Sequence, residues 1–124
     1  MARVTGIGGI FFKAADPAGL ATWYEQHLGI KLAGDSMSVM RWHDDPRERD
    51  GTTVWSLFAR DDEYFRGDAP FMVNYRVDDL DALLAALRAA GVTVDDRTDE
   101  SDFGKFGWLT DPEGNRVELW QPPE

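Results

Sequence analysis

The chain opens with a short apolar run, Ile7-Gly-Gly-Ile-Phe-Phe12, rich in β formers, which predicts a strand. Asp16-Pro17 then predicts a helix start, because Asp caps well and Pro is tolerated at the first helical position. Leu20, Trp23, Tyr24, His27 and Leu28 recur at helical spacing until Gly29 stops the helix. Ile30 to Leu32 and Ser38 to His43 predict strands, with a Gly34-Asp35 turn between them. Asp44 to Gly51 is charged, contains Pro46 and predicts an exposed loop, and Thr53 to Arg60 predicts another strand.

After a loop from Asp61 to Pro70 the pattern restarts. Phe71 to Val77 predicts a strand. Asp78-Asp79 caps a helix whose Leu80, Leu83, Leu84 and Leu87 form one apolar stripe, with Gly91 as its stop. Val92 to Val94 predicts a short strand and Asp95 to Asp102 a solvated acidic loop. Phe106 to Thr110 and Arg116 to Gln121 predict strands, joined by the turn Asp111-Pro-Glu-Gly-Asn115. Both halves therefore read strand, helix, strand, strand, strand. Phe12 to Asp16 aligns with Tyr75 to Asp79, and Leu28-Gly29-Ile30 with Ala90-Gly91-Val92. Two copies predict a two-lobed sheet protein rather than a solenoid, which needs more repeats.

Composition narrows the function classes. A chain of 124 residues is one domain by size. With no cysteine there is no disulfide framework, zinc ribbon or thiol nucleophile. The 23 acidic against 13 basic residues give a net charge of -10, which argues against nucleic-acid and anionic-membrane partners. No run approaches a membrane span of about 20 apolar residues, and no targeting signal is visible. A cytoplasmic protein is the expectation. No GxGxxG, P-loop, GxSxG or HExxH pattern occurs.

Three stretches carry a family resemblance. Gly6-Ile-Gly-Gly-Ile-Phe-Phe with Asp16-Pro17 and Trp23-Tyr24…Leu28-Gly29 resembles the opening of the vicinal oxygen chelate superfamily, which includes glyoxalase I, bleomycin-resistance proteins and extradiol dioxygenases. Asn74-Tyr-Arg-Val-Asp-Asp-Leu-Asp81 resembles its second opening, and Phe106 to Pro122 its closing hairpin. The resemblance implies an α+β fold of two tandem βαβββ modules, about 5–60 and 71–122, within a single domain spanning 1–124. Curled mixed sheets would form a central cup with helices outside.

Strand parity then sorts the side chains. Ile10, Phe12, Trp55, Leu57, Val73, Tyr75, Val77, Val117 and Leu119 fall on the side expected to meet the helices. Gly9, Phe11, Val54, Ser56, Phe58, Met72, Asn74, Arg76, Arg116, Glu118 and Trp120 fall on the cup side. That mixture of aromatic and polar groups suits a small-molecule pocket. The candidate ligand-binding residues are Phe11, Ser56, Phe58, Met72, Asn74, Arg76, Arg116 and Trp120.

In metal-using members of the superfamily, four inward strand positions, mostly His and Glu, hold a divalent ion. By resemblance these positions are Gly9, Ser56, Met72 and Glu118. Gly9 has no side chain, Met72 is a soft thioether, Ser56 is a weak neutral ligand, and only Glu118 is a good donor. No metal or other cofactor is therefore expected, with a divalent ion as the alternative. Glu118 is the candidate catalytic acid/base, against a simple ion pair with Arg76 or Arg116. His27 is read as packing or a helix-end contact, and His43-Asp44-Asp45 as loop rather than a cation site. Trp42, Trp108 and Trp120 are open to ligand stacking or to core packing.

Two functions follow. One is a binding protein that holds a small organic molecule unchanged, as bleomycin-resistance proteins do; the charge of -10 would attract a cation, whereas Arg76 and Arg116 would suit an anion. The alternative is a glyoxalase-type lyase, isomerase or dioxygenase using Glu118 as acid/base. The resemblance also implies a homodimer.

Overall fold

The computed structural model describes residues 7, 9–34, 36–47 and 49–124. Gly6 and Gly8 of the opening motif, Asp35 of the predicted turn and Glu48 of the predicted 44–51 loop lie outside the described residues. The chain divides into two compact units, Met1–Arg60 and Asp61–Glu124.

In the first unit, helix α1 spans Pro17–Leu28. Asp16 caps it by accepting the Gly19 N–H at 3.1 Å, and Pro17 occupies the first turn. Gly29 ends it in the left-handed region at φ 68°, where its N–H reaches the Glu25 carbonyl. Leu20 and Tyr24 are buried. The expected strands at 7–12, 30–32, 38–43 and 53–60 are not formed: none of the described residues of these segments lies in a strand. A short 3₁₀ turn, Trp42–Asp44, replaces the end of the third. The parity assigned to these segments falls with them, and Phe11 and Leu57 are 95% and 80% exposed. A short apolar run has β character only when a neighbouring strand and a packed face support it.

The second unit has the expected βαβββ order: β1 (Val73–Arg76), α2 (Leu80–Ala89), β2 (Thr93–Ser101), β3 (Gly104–Thr110) and β4 (Arg116–Gln121). The class is α+β, with a curled mixed sheet that does not close. Strand order is β1-β4-β3-β2; β1 runs parallel to β4, and the other pairs are antiparallel. Asp79 caps α2 by accepting the Ala82 N–H at 3.1 Å. The apolar stripe then buries Leu80, Leu84 and Leu87, which pack with Leu109, Val117 and Leu119 in the core. Each such leucine contributes about 2 kcal/mol of burial. Gly107 lets the helix approach: a Cβ there would sit 3.0 Å from Leu84 Cδ1.

One expectation in this unit is corrected. The acidic run 95–102 is not a solvated loop, because β2 continues through it to Ser101. Its pairing with β3 shifts register between Val94 and Thr98. Charge marks this segment as an edge strand, where exposed acids deter pairing with other chains.

Candidate functional site

Helix α2 takes one face of the sheet; the other carries the polar groups. Register places them in rows. Arg116 pairs with Thr110; Glu118 lies between Asn74 and Trp108; Trp120 lies between Arg76 and Phe106. The middle row is a hydrogen-bonded cluster. Glu118 is 7% exposed and its carboxylate accepts from three donors. Asn74 Nδ2 donates to Oε1 at 2.6 Å. The Tyr64 hydroxyl donates to Oε2 at 2.7 Å, and Trp108 Nε1 to the same oxygen at 2.9 Å. Burial of the carboxylate is tolerable because these donors replace water.

Tyr64 comes from the stretch before β1, outside any helix or strand. Its own N–H is held by Asp62 Oδ1 at 2.8 Å. Its ring meets Trp108 edge-on, centroids 5.5 Å apart at 83°. Burial, then the bond to Glu118 and that carboxylate's charge, push the Tyr64 hydroxyl pKa above the ordinary tyrosine value. Asp99 adds to the shift and Arg97 opposes it. The hydroxyl therefore stays protonated and donates.

Two guanidinium groups complete the wall. Arg97 lies 5.1 Å from the Trp108 ring centroid and 5.8 Å from that of Tyr64. Arg116 lies 5.6 Å from Trp108. Each arginine already has an acid: Arg97 contacts Asp99 at 2.6 Å, and Arg116 grips Asp95 through two bonds of 2.8 and 3.2 Å. Arg116 Nε is buried without a hydrogen-bond partner among the described residues. Of the two arginines weighed as ion-pair partners of Glu118, Arg116 is instead taken by Asp95, on the strand extended through the acidic run.

The sheet brings Asn74, Glu118 and Trp108 together, with Arg76 and Trp120 one row away. Phe106 stacks on Trp120 at 6.1 Å and 8°, and Trp120 Nε1 donates to the Phe103 carbonyl at 2.7 Å. Met72 is partly exposed just before β1. Gly9, Phe11, Ser56 and Phe58 are exposed in the first unit and lie in no strand. That unit has its own open groove of about 650 Å³, lined by Val39, Met40, Arg41, Trp42, His43 and Arg49. His43 Nε2 lies 3.2 Å from Asp44. Trp108 is core, 1% exposed, rather than a free stacking surface.

Sequence reasoning missed Tyr64, Arg97 and Asp95. Tyr64 and Phe65 interrupt an otherwise charged stretch, and Arg97 is the one cation within 95–102. Those breaks in pattern were the available signals.

The donor set at the four family positions does not suit a divalent ion. Glu118 is the one strong ligand among them, and both of its oxygens already accept hydrogen bonds. Among the described residues, no three His, Cys, Asp or Glu side chains gather as a metal site. Among those residues, too, no helix is long and apolar enough to cross a membrane.

Residues 9–120 match the family described as Glyoxalase-like domain. No curated protein matches the chain. Among solved structures, the chain resembles lactoylglutathione lyase from Agrobacterium tumefaciens: 18% identity, 97% of this chain and 96% of that one covered, TM-score 0.55. It also resembles the oxidase ChaP-H2, at 18% identity over 89% of this chain and 87% of that one, TM-score 0.51. These two likenesses establish the fold. A third is to TnmS3, an antibiotic binding protein from Streptomyces sp. CB03234, at 37% identity. That match spans 41% of each chain, with a TM-score of 0.38.

Proposed function

The chain belongs to the glyoxalase-like family of the vicinal oxygen chelate superfamily, and on that premise we propose that it binds a small organic molecule without changing it. The site is the open sheet face around Glu118. One observation carries the reading: the Glu118 carboxylate is held by Tyr64, Asn74 and Trp108. A general base needs a lone pair directed at its proton, within hydrogen-bond reach. Here the three donors supply what water would, so the group serves as a fixed acceptor inside an aromatic wall. The unsuitable donor set supports a metal-free site. The arginines offer edges and faces to a planar ligand rather than a free charge, because Asp95 and Asp99 neutralise them.

The proposal keeps one functional domain and includes a homodimer in the cytoplasm. The dimer rests on the family resemblance, and the compartment on a composition without cysteine.

The test is a screen of planar organic molecules by tryptophan fluorescence, with each bound compound recovered and weighed by mass spectrometry. Saturable binding with unchanged ligand supports the reading. Turnover that disappears in Glu118→Gln, with the fold intact, establishes the acid/base alternative instead. Stoichiometric metal in protein purified without chelator would overturn the metal-free site.

A further inference from the structure

Tyr64 sits in the cluster as a small molecule would. Its ring is delivered from a stretch outside the sheet, so moving it breaks no strand pairing. It meets three kinds of partner at once: the Trp108 ring edge-on, the Arg97 guanidinium over its face, and the Glu118 carboxylate at its hydroxyl. Those partners define a chemistry. The acceptor Glu118 Oε2 requires an O–H or N–H donor. The guanidinium 5.8 Å from the ring centre favours an electron-rich face. Trp108 meets an aromatic ring edge-on in this place.

We infer that Tyr64 is a displaceable internal occupant, and that the ligand class is an electron-rich aromatic ring bearing a hydrogen-bond donor, a phenol or an arylamine, which takes its place against Trp108, Arg97 and Glu118. The inference rests on the binding reading above and specifies it. A ligand of this class restores the contacts to Trp108, Arg97 and Glu118 that the Tyr64 side chain gives up. An apolar ring of the same shape leaves the buried Glu118 oxygen short of a donor, which is unfavourable. Selectivity therefore resides in the hydroxyl or amine. Removing the Tyr64 hydroxyl loosens the occupant, so it favours any ring that displaces Tyr64, and the donor-bearing ligand keeps its preference because it alone restores the bond to Glu118.

The probes are 4-methylphenol, 4-methylaniline and toluene, titrated into the full chain by calorimetry. Wild type is expected to bind both donor-bearing probes at least about tenfold more tightly than toluene, the fold-change of one charge-assisted hydrogen bond. Tyr64→Phe is expected to tighten all three probes by about tenfold, because each displaces the same occupant and the variant has no Tyr64–Glu118 bond to give up, so the preference for the donor-bearing probes over toluene is kept. Equal affinity for toluene and 4-methylphenol in wild type overturns the inference, and this arm needs no variant. So does a Tyr64→Phe protein, folded by circular dichroism, that binds 4-methylphenol no more tightly than wild type. A binder found in the wider screen while these probes fail removes the ligand class and leaves the binding reading. A screen with no binder removes the binding reading itself.

Discussion

Two regions of the Asp61–Glu124 unit each bury a carboxylate, and each supplies it with three of the hydrogen bonds described: Asp111 in the β3–β4 turn and Glu118 on the open sheet face. They differ in where the donors come from. Asp111 accepts from the Glu113 N–H, the Asn115 N–H and Asn115 Nδ2, all within four residues. Its bonds close a tight turn with the Asn115 carbonyl and Gly114, at φ 85°. Glu118 draws on Tyr64, Asn74 and Trp108, which lie 54, 44 and 10 residues away. A local carboxylate holds the backbone that carries it. A carboxylate served from three separate stretches holds a surface together, and one of those stretches is outside the sheet.

The contrast orders the predicted effects. Glu118→Leu strands the Trp108 N–H and the Asn74 amide, and is expected to lower stability by about 3 kcal/mol in urea unfolding. A loss below about 1 kcal/mol would mean that the three bonds are not formed together. Asp111→Ala is expected to remove about 2 kcal/mol, because some freed N–H groups in the turn can turn to water. It should leave the selectivity for 4-methylphenol over toluene intact, whereas the Glu118 change should abolish it. Equal loss of selectivity in both variants would erase the distinction between turn and site.

Tyr64→Phe comes next, with an expected loss of about 1 kcal/mol. The smallest effect is its pH dependence. Below about pH 10 the tyrosine is protonated in folded and unfolded chains alike, and its bond to Glu118 contributes fully. As pH rises past that value the unfolded chain ionises first, because the folded pKa is raised by burial and by Glu118. The wild-type advantage over Tyr64→Phe should therefore shrink above about pH 10. Tyr75, raised by burial and by Asp111, is present in both proteins and cancels. An advantage that grows with pH would contradict the Tyr64–Glu118 bond.

The same contrast explains what could be read from sequence. Helix α1 with Asp16 and Gly29, helix α2 with its leucine stripe, strand β4 and the Asp111 turn are encoded within a few residues, and local chemistry reveals them. Glu118 was visible as a lone acid on an aromatic strand face. Its donors were not, since no spacing rule connects positions 64, 74 and 118. The acidic run of β2 misled because charge signals solvent, and an edge strand is both charged and paired. The runs at 7–12 and 53–60 misled in the opposite sense: their composition suits a strand, but none of the described residues there lies in one.

The central claim is that the Glu118 cluster, rather than the groove of the first unit, is the binding surface. The five tryptophan indole N–H signals report on it directly in a nitrogen–proton NMR spectrum. During a titration with 4-methylphenol the Trp108 signal, bonded to Glu118, should move and saturate, the Trp42 signal should stay in place, and the probe should be recovered unchanged. A titration that moves Trp42 and leaves Trp108 still would contradict the account.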